Sequence, residues 1–412
     1  MELIRSIYVR FYMLVMALYV FLDKGVAYSY LAETLWLGGL ILLILFRKKV
    51  VLFWDKRIKL LLAFIIISLL YILRGIQQYP LIDLIRDSFI FQYGWFVFVI
   101  FMLADYQDYI WKKIALIYKL FPIIAFVIFV AQFFVTPLQE FKLFGDIPLV
   151  LYKYGDMGVH LFISFVLLLL FLDTYSRRWQ LITVVFIILD FLILSAYSRS
   201  GMLSFILGIF IYLYYNKKSI ASASRKQFLK YSLWAILIVI PIYLNIKVDE
   251  NFQGRAIGFQ QIKDNFGFIV GSTTNVSSED NLIWRLAWWA KIINYSFTPV
   301  NFFTGKGLGM SLASTDDILT SDAELRSPHN FHLNIMARFG VVLFIAWIYW
   351  IWLILKPMFK KQLSSKQLAI ACILFVFIFN SSFDVFLEGP MGAFPFWTWV
   401  GLFFIAEETP AL

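Results

Sequence analysis

The chain has one cysteine, Cys372, and three histidines in 412 residues. A lone thiol forms no internal disulfide and makes no metal site. Two of the histidines, His329 and His332, have no nearby cysteine or evident third ligand, so they fall short of a zinc site. Nucleotide signatures are missing as well. There is no P-loop, and Gly305-Lys306-Gly307-Leu308-Gly309 lacks both the Walker spacing and a preceding strand–helix unit. No Asp-x-Asp pair offers itself to a metal-bound nucleotide sugar, and Asp316-Asp317 reads as a solvated acidic patch. No cleavable signal peptide is evident: Arg5 and Arg10 precede the apolar Phe11–Leu22, but no small-residue cleavage site follows, so the first span is expected to stay. Internal repeats and low-complexity tracts are not found either. Charged residues make up only 15 %.

What is there is apolar. Hydrophobic residues are 61 % and aromatics 20 % of the chain, more than a soluble domain needs, so the fold class read from composition is an all-α polytopic membrane protein. Twelve spans are expected, at about 7–22, 29–46, 58–74, 88–104, 114–135, 158–173, 179–195, 200–215, 230–246, 331–355, 367–384 and 391–406. The net charge of +10 is not a nucleic-acid signal, because the cations sit in short loops. One side carries 19 basic residues in those loops and the other six. The richer side should be cytoplasmic, which puts both termini inside and Arg199 with residues 247–330 outside. Three regions follow: a membrane part at 1–246, a long external loop at 247–330, and a membrane part at 331–412. Within the loop, 271–280 reads as a turn region. Asn281–Asn294 reads as an amphipathic helix lying in the interface, with Trp284, Trp288 and Ile292 at helical spacing.

The external polar stretch holds the residues with chemistry in them. Arg199 stands where one span turns into the next. A helix start offers free N–H groups to an anion, and the alternative is an arginine snorkelling at the interface. Arg255 and Arg285 read either as solvated loop charges or as forks for a phosphate. Arg285 lies among Trp284, Trp288 and Trp289, and tryptophan faces can pack against sugar rings. His329, in Pro328-His329-Asn330, is a general-base candidate or part of a helix-capping cluster, and His332 lies one turn on. The glycines of 305–309 leave a backbone able to approach a bulky ligand. Asp190 and Asp384 lie in or near spans, where ionisable groups are functional suspects.

In order, Ser198-Arg199-Ser200-Gly201, Gly254-Arg255, Trp284-Arg285 with Trp288, Thr298-Pro299, Gly305–Gly309 and Pro328-His329-Asn330 with Gly340 resemble the O-antigen ligase and O-antigen polymerase superfamily of bacterial envelope glycan assembly. The motifs cover about residues 195–345; the remaining spans match only in number and hydropathy. The resemblance implies a GT-C-like inner-membrane glycosyltransferase with its active site facing the periplasm. It would transfer an undecaprenyl-diphosphate-linked oligosaccharide to a sugar hydroxyl with inversion, with no metal, nucleotide or other cofactor. It implies Arg199, Arg255 and Arg285 on the donor diphosphate, His329 with Arg285 as the catalytic residues, and Asn330, His332 and Trp288 toward the acceptor or sugar. The acceptor would be a second lipid-linked glycan, as for a polymerase, or lipid A–core, as for a ligase. A chain-length regulator belongs among the implied partners. Many ligases carry a glutamate directly after His-Asn where this chain has Phe331, which favours polymerase. The alternative of another class is a lipid-linked glycan flippase, whose paired halves with broken helices are not seen in this sequence.

Overall fold

A computed structural model describes residues 2–50, 54–135, 137–145, 147–150, 153–216, 223–244, 258–269, 276–318, 325–359 and 363–408. Among them the regular structure is helical, and an isolated bridge joins Lys142 to Pro148. Helices satisfy their own backbone groups, which is what an apolar run surrounded by hydrocarbon requires. Leaving out the shortest pieces, the first half holds α1 (Glu2–Leu22), α2 (Leu31–Leu45), α3 (Lys56–Gly75), α4 (Leu81–Gln92), α5 (Trp95–Met102), α6 (Gln107–Phe134), α7 (Tyr154–Leu170) and α8 (Arg177–Tyr197). The second half holds α9 (Arg199–Tyr215), α10 (Ala223–Leu244), α11 (Phe259–Ile269), α12 (Val276–Ser296), α13 (Pro299–Thr304), α14 (Phe331–Phe359), α15 (Ser365–Asn380) and α16 (Pro390–Glu408).

Each of the twelve expected apolar segments falls on a helix, the fourth on the pair α4–α5. By length and composition five described helices are able to cross a membrane, or six if α4 and α5, bent by 55°, count as one broken span. The apolar helices α2, α7, α9 and α15 are shorter. Side chains such as Ile41, Ile66, Leu73, Leu233, Ile345 and Trp352 are exposed on the outside of the bundle, the surface that lipid would cover.

The interior is aromatic. Trp347 stacks on Trp350 with ring centroids 5.1 Å apart, and Trp397 closes on Trp350 at 5.4 Å. One end of the bundle is held by arginines. Buried Arg5 bonds Asp105 at 3.0 Å and the Met102 carbonyl at 2.8 Å, tying α1 to the α5–α6 junction. Arg57 makes a two-pronged pair with Glu407 at 2.7 and 2.9 Å and lies over the Phe404 ring, tying α3 to α16.

Two expectations shift. The stretch 271–280 lies outside the described residues as far as 275 and is helical from Val276, so the helix starts five residues earlier than its pattern indicates. The Trp284–Trp288–Ile292 stripe faces inward: Trp288 and Ile292 are fully buried, packed with Leu312 and Ala337, while Ile283, Leu286 and Ile293 are exposed on the opposite face.

Gly340 breaks α14 with φ of 86°. There the backbone of α13 comes so close that a Cβ would meet the Asn301 carbonyl oxygen at 2.7 Å. An alanine needs both an unfavourable φ and space that is not there, a strain of about 1–3 kcal/mol. Gly340→Ala should therefore lower the thermal unfolding midpoint in detergent by several degrees. Gly38→Ala, where an added Cβ meets Tyr8 only at an ordinary 3.5 Å, should not. Equal midpoints for wild type and both variants would contradict this packing.

Candidate functional site

At the end of the bundle opposite Arg5 and Arg57, the starts of α7 and α9, the turn 381–389, helix α12 and the segment 325–330 converge. Glycines make the approach possible. A Cβ on Gly158 would lie 2.7 Å from the Gly201 carbonyl oxygen, and one on Gly201 would lie 2.8 Å from that of Tyr154, so α7 and α9 meet backbone to backbone. Ser198 caps α9, its hydroxyl accepting from the Gly201 N–H at 3.1 Å. Arg199 is the first residue of that helix and is half-buried.

Asp384 is the centre of the cluster. Its Oδ1 accepts from Lys153 Nζ at 2.9 Å and lies 3.8 Å from His329 Nδ1. Its other oxygen would be 3.6 Å from a Cβ on Gly155, a point that also lies within 3.7 Å of the Ser198 and Ser200 hydroxyls. Burial pushes the Asp384 carboxyl up, but Lys153 and His329 outweigh it and hold the group well below the usual carboxylate range. Lys153 is pulled down by burial and pushed up further by Asp384, Asp156 and Asp23, so it stays charged. Behind it, Asp23 accepts from the Lys153 backbone N–H at 2.8 Å, and burial lifts its carboxyl to about 7. Asn380 reaches Asp156 at 3.5 Å.

Arg285 donates to the Phe383 carbonyl at 3.4 Å and lies over the Trp284 ring at 5.6 Å. Burial lowers its pKa, while neighbouring Asp384 favours the charged form. The Trp284 ring meets the His329 imidazole edge-on at 6.2 Å. His329, about a quarter exposed, has the left-handed φ of 51°. Cations therefore gather around the Asp384 carboxylate beside an accessible imidazole. This arrangement can bind an anion and move a proton.

The site residues expected from sequence divide. Arg285 and His329 come together around Asp384. Arg199 starts the helix whose Ser198 and Ser200 flank the same carboxylate. Arg255 lies outside the described residues. Asn330 caps α14, accepting from the Leu333 N–H at 3.0 Å. His332 is nearly buried: Nδ1 accepts from Trp347 at 3.0 Å and Nε2 faces the Ile378 carbonyl at 3.1 Å. Trp288 is fully buried and donates to Asp316 at 2.6 Å, so its faces are packed against protein.

Two loop readings change. Asp316 is fully buried, not solvated: besides Trp288 it takes Lys306, and its carbonyl takes Lys291; only Asp317 is exposed. The glycines of 305–309 bring the loop against protein. Lys306 N–H donates to Ala337 O at 2.8 Å and Gly307 N–H to Arg338 O at 2.9 Å, and a Cβ on Gly305 would meet Arg338 backbone at 2.5 Å. Asp190 is fully buried in α8, two turns before the cluster, and among the described residues neither carboxylate oxygen has a hydrogen-bond partner.

Lys153 escaped the sequence reading. Its signal was a lysine, three residues before Asp156, on the side poor in basic residues. Asp384 was noticed only for its position near a span end.

The comparisons bear on this end of the molecule. Residues 183–348 match the model of the O-antigen ligase family. That match places the stretch in the O-antigen ligase and polymerase superfamily. It runs from α8 into α14 and contains Arg199, Arg285 and His329. Comparison with curated proteins gives no match, and neither does comparison with solved structures. The family supports glycan transfer of the ligase or polymerase type in envelope polysaccharide assembly, by a multi-pass bacterial membrane protein.

The Lys153–Asp384 pair can be checked by itself. Each side chain is about a fifth exposed, so the coupling should be about 1–3 kcal/mol. Asp384→Leu and Lys153→Met should each lower the unfolding free energy, and the double variant should lose less than the sum. Additive losses would show that the contact does not hold the two elements together.

Proposed function

We propose that this protein transfers a glycan from an undecaprenyl-diphosphate-linked donor to a sugar hydroxyl at the outer face of the inner membrane. It is read as a GT-C-like inverting transferase with both termini cytoplasmic. The observation that carries the reading is the meeting of His329, Arg285, Lys153 and Asp384 at one end of the bundle, with His329 and Arg285 inside the segment matching the O-antigen ligase family.

The chemistry needs a leaving group and a base. A diphosphate leaves readily once its charge is met, and fixed cations in a site of low dielectric do this without reorganising. Arg199, Arg255 and Arg285 take that role, with Lys153 as the additional cation the structure supplies. Guanidinium and ammonium groups furnish the positive charge, so no metal or other cofactor is required. His329 accepts the proton of the attacking hydroxyl, and Asp384, 3.8 Å from Nδ1, orients the ring. Attack opposite the diphosphate inverts the anomeric centre. Asn330, His332 and Trp288, read from sequence as sugar contacts, act here by shaping the segment that carries His329. Trp284, edge-on to the imidazole at 6.2 Å, adds an aromatic wall beside the proposed base.

The lipid tail has a place. An apolar cavity of about 270 Å³ lies between α7, α8, α9 and α10, lined by Val184, Ile188, Phe191, Phe205, Ile209 and Ile236 among others. Phe205 is six residues along α9 from Arg199, about 9 Å. A diphosphate held at Arg199 would send its first isoprene units toward this cavity.

For the acceptor, the polymerase reading rests on Phe331 in the position after His-Asn. Phe331 is buried against Trp347, and its N–H donates to the Ser381 carbonyl at 2.9 Å. The second reading, ligase, is favoured by the description of the matching family.

Purified protein, a synthetic lipid-diphosphate glycan and an acceptor test the assignment. His329→Ala should cut turnover by about 10²–10⁴ while donor binding persists. His332→Ala should reduce thermal stability first, since it removes an acceptor for Trp347. Arg285→Lys should not restore normal turnover, because a point charge does not reproduce a planar fork. A His329→Ala enzyme within a few-fold of wild type would remove the base, and near-normal Arg285→Lys would remove Arg285 from the diphosphate.

A further inference from the structure

A second cavity, lined by lysines, lies at the far end of the bundle from His329. It has a volume of about 600 Å³ and is formed by the beginning of α6, the turn after α7 and the first turn of α15. That size lies within the range of about 300–1,000 Å³ common for ligand pockets. Four lysines line it, Lys112, Lys113, Lys119 and Lys366, against the single carboxylate of Asp108.

Three of the four lysines lie over aromatic rings. Lys119 Nζ lies 4.3 Å from the Trp179 ring centre and 4.9 Å from that of Tyr175; Lys366 Nζ lies 4.2 Å from that of Trp111. Such contacts position an ammonium and leave its remaining donors for an anion. Lys119 is the unusual member. It lies inside the candidate membrane span Ala104–Gln132, eleven residues beyond Asp108, or about 16 Å along the helix. A basic residue at that depth is a functional suspect by default. The bland account is a lysine snorkelling to the interface. Snorkelling and the basic bias of this side account for lysines being here, but not for four of them lining one cavity.

The walls decide what kind of anion fits. Leu116, Ala115 and Phe171 line the same cavity as the cations, and Leu116 is nearly half exposed. A soluble phosphate has no use for an apolar wall beside its cations. A molecule with an anionic head and acyl chains uses both.

We propose that this cavity binds the headgroup of an anionic phospholipid, its phosphate held by Lys119, Lys366 and Lys112 and its chains running along Leu116. Under the orientation given above, the cavity lies at the cytoplasmic leaflet. The site is separate from glycan transfer, and its test does not depend on that function.

Native mass spectrometry of the full chain released from detergent measures the bound lipid. Wild type should retain phosphatidylglycerol at least tenfold over phosphatidylcholine of the same chain length. Lys119→Gln with Lys366→Gln should abolish that preference. Lys56→Gln with Lys59→Gln, which removes the same charge from exposed positions at the same end, should leave it intact. Equal retention of the two lipids by wild type overturns the proposal, as does a preference that survives the first double variant or is lost equally in the second. Glycerol 3-phosphate supplies the remaining arm: displacement of the bound lipid by this chainless phosphate at comparable concentration would make the site one for a soluble phosphate and overturn the lipid assignment.

Discussion

The polar end of this protein depends on the contact between Asp384 and Lys153. A carboxylate placed there by burial alone would take up a proton, and the cations around it would then repel one another. With Lys153 at 2.9 Å it stays ionised, and as an anion it has a reason to hold everything else. Through it the start of α7 meets the turn after α15, and His329 and Arg285 approach from two further segments. Lys153 is itself anchored by its backbone N–H on Asp23, at the end of α1. One ion pair therefore sets the relative positions of elements far apart in sequence.

Asp316 does comparable work for the loop that carries the histidine. It takes Trp288 from α12 and Lys306 from the glycine segment, and Lys291 bonds its carbonyl. The glycines then bond the backbone of α14 at Ala337 and Arg338, where Gly340 admits α13. Removing the Asp316 charge would leave buried donors without an acceptor, which is costlier than losing the bonds themselves.

How far this was legible in the sequence follows from what each feature depends on. The helices were legible because a long apolar run has one solution in lipid, and their order follows from the loops. Arg285 and His329 stood out as candidates because arginines beside tryptophan and a lone Pro-His-Asn are rare in an apolar chain. The role of Asp316 was not, since an Asp-Asp pair in a polar loop looks solvated and only the fold turns one member inward. Lys153 and Asp384 are 231 residues apart, and no local pattern reports a partner at that separation. Trp288 and Trp289 look alike in sequence, yet Trp288 is wholly buried on Asp316 and Trp289 is half-buried, reaching the Pro328 carbonyl; the facing of α12 separates them.

The backbone of His329 is strained. A left-handed φ at a residue other than glycine costs about 1–3 kcal/mol and persists only where the surroundings over-determine it. Here they do. Trp289 donates to the Pro328 carbonyl at 2.7 Å, fixing the residue before. Asn330 caps α14, and the Phe331 N–H donates to the Ser381 carbonyl, fixing the residues after. The turn 381–389 closes from both sides: Asp384 faces His329, while partly buried Glu388 faces Ser327, Asn334 and Arg338. Burial lifts the Glu388 carboxyl to about 7, with Ser327 and Arg338 drawing it back toward the charged form. Arg338 in turn pairs with Asp87 at 2.8 Å, reaching the broken helix α4. A histidine that served only as a helix cap would not need this many restraints on a strained backbone. The same restraints would serve an imidazole held against a sugar hydroxyl, the role proposed for it above.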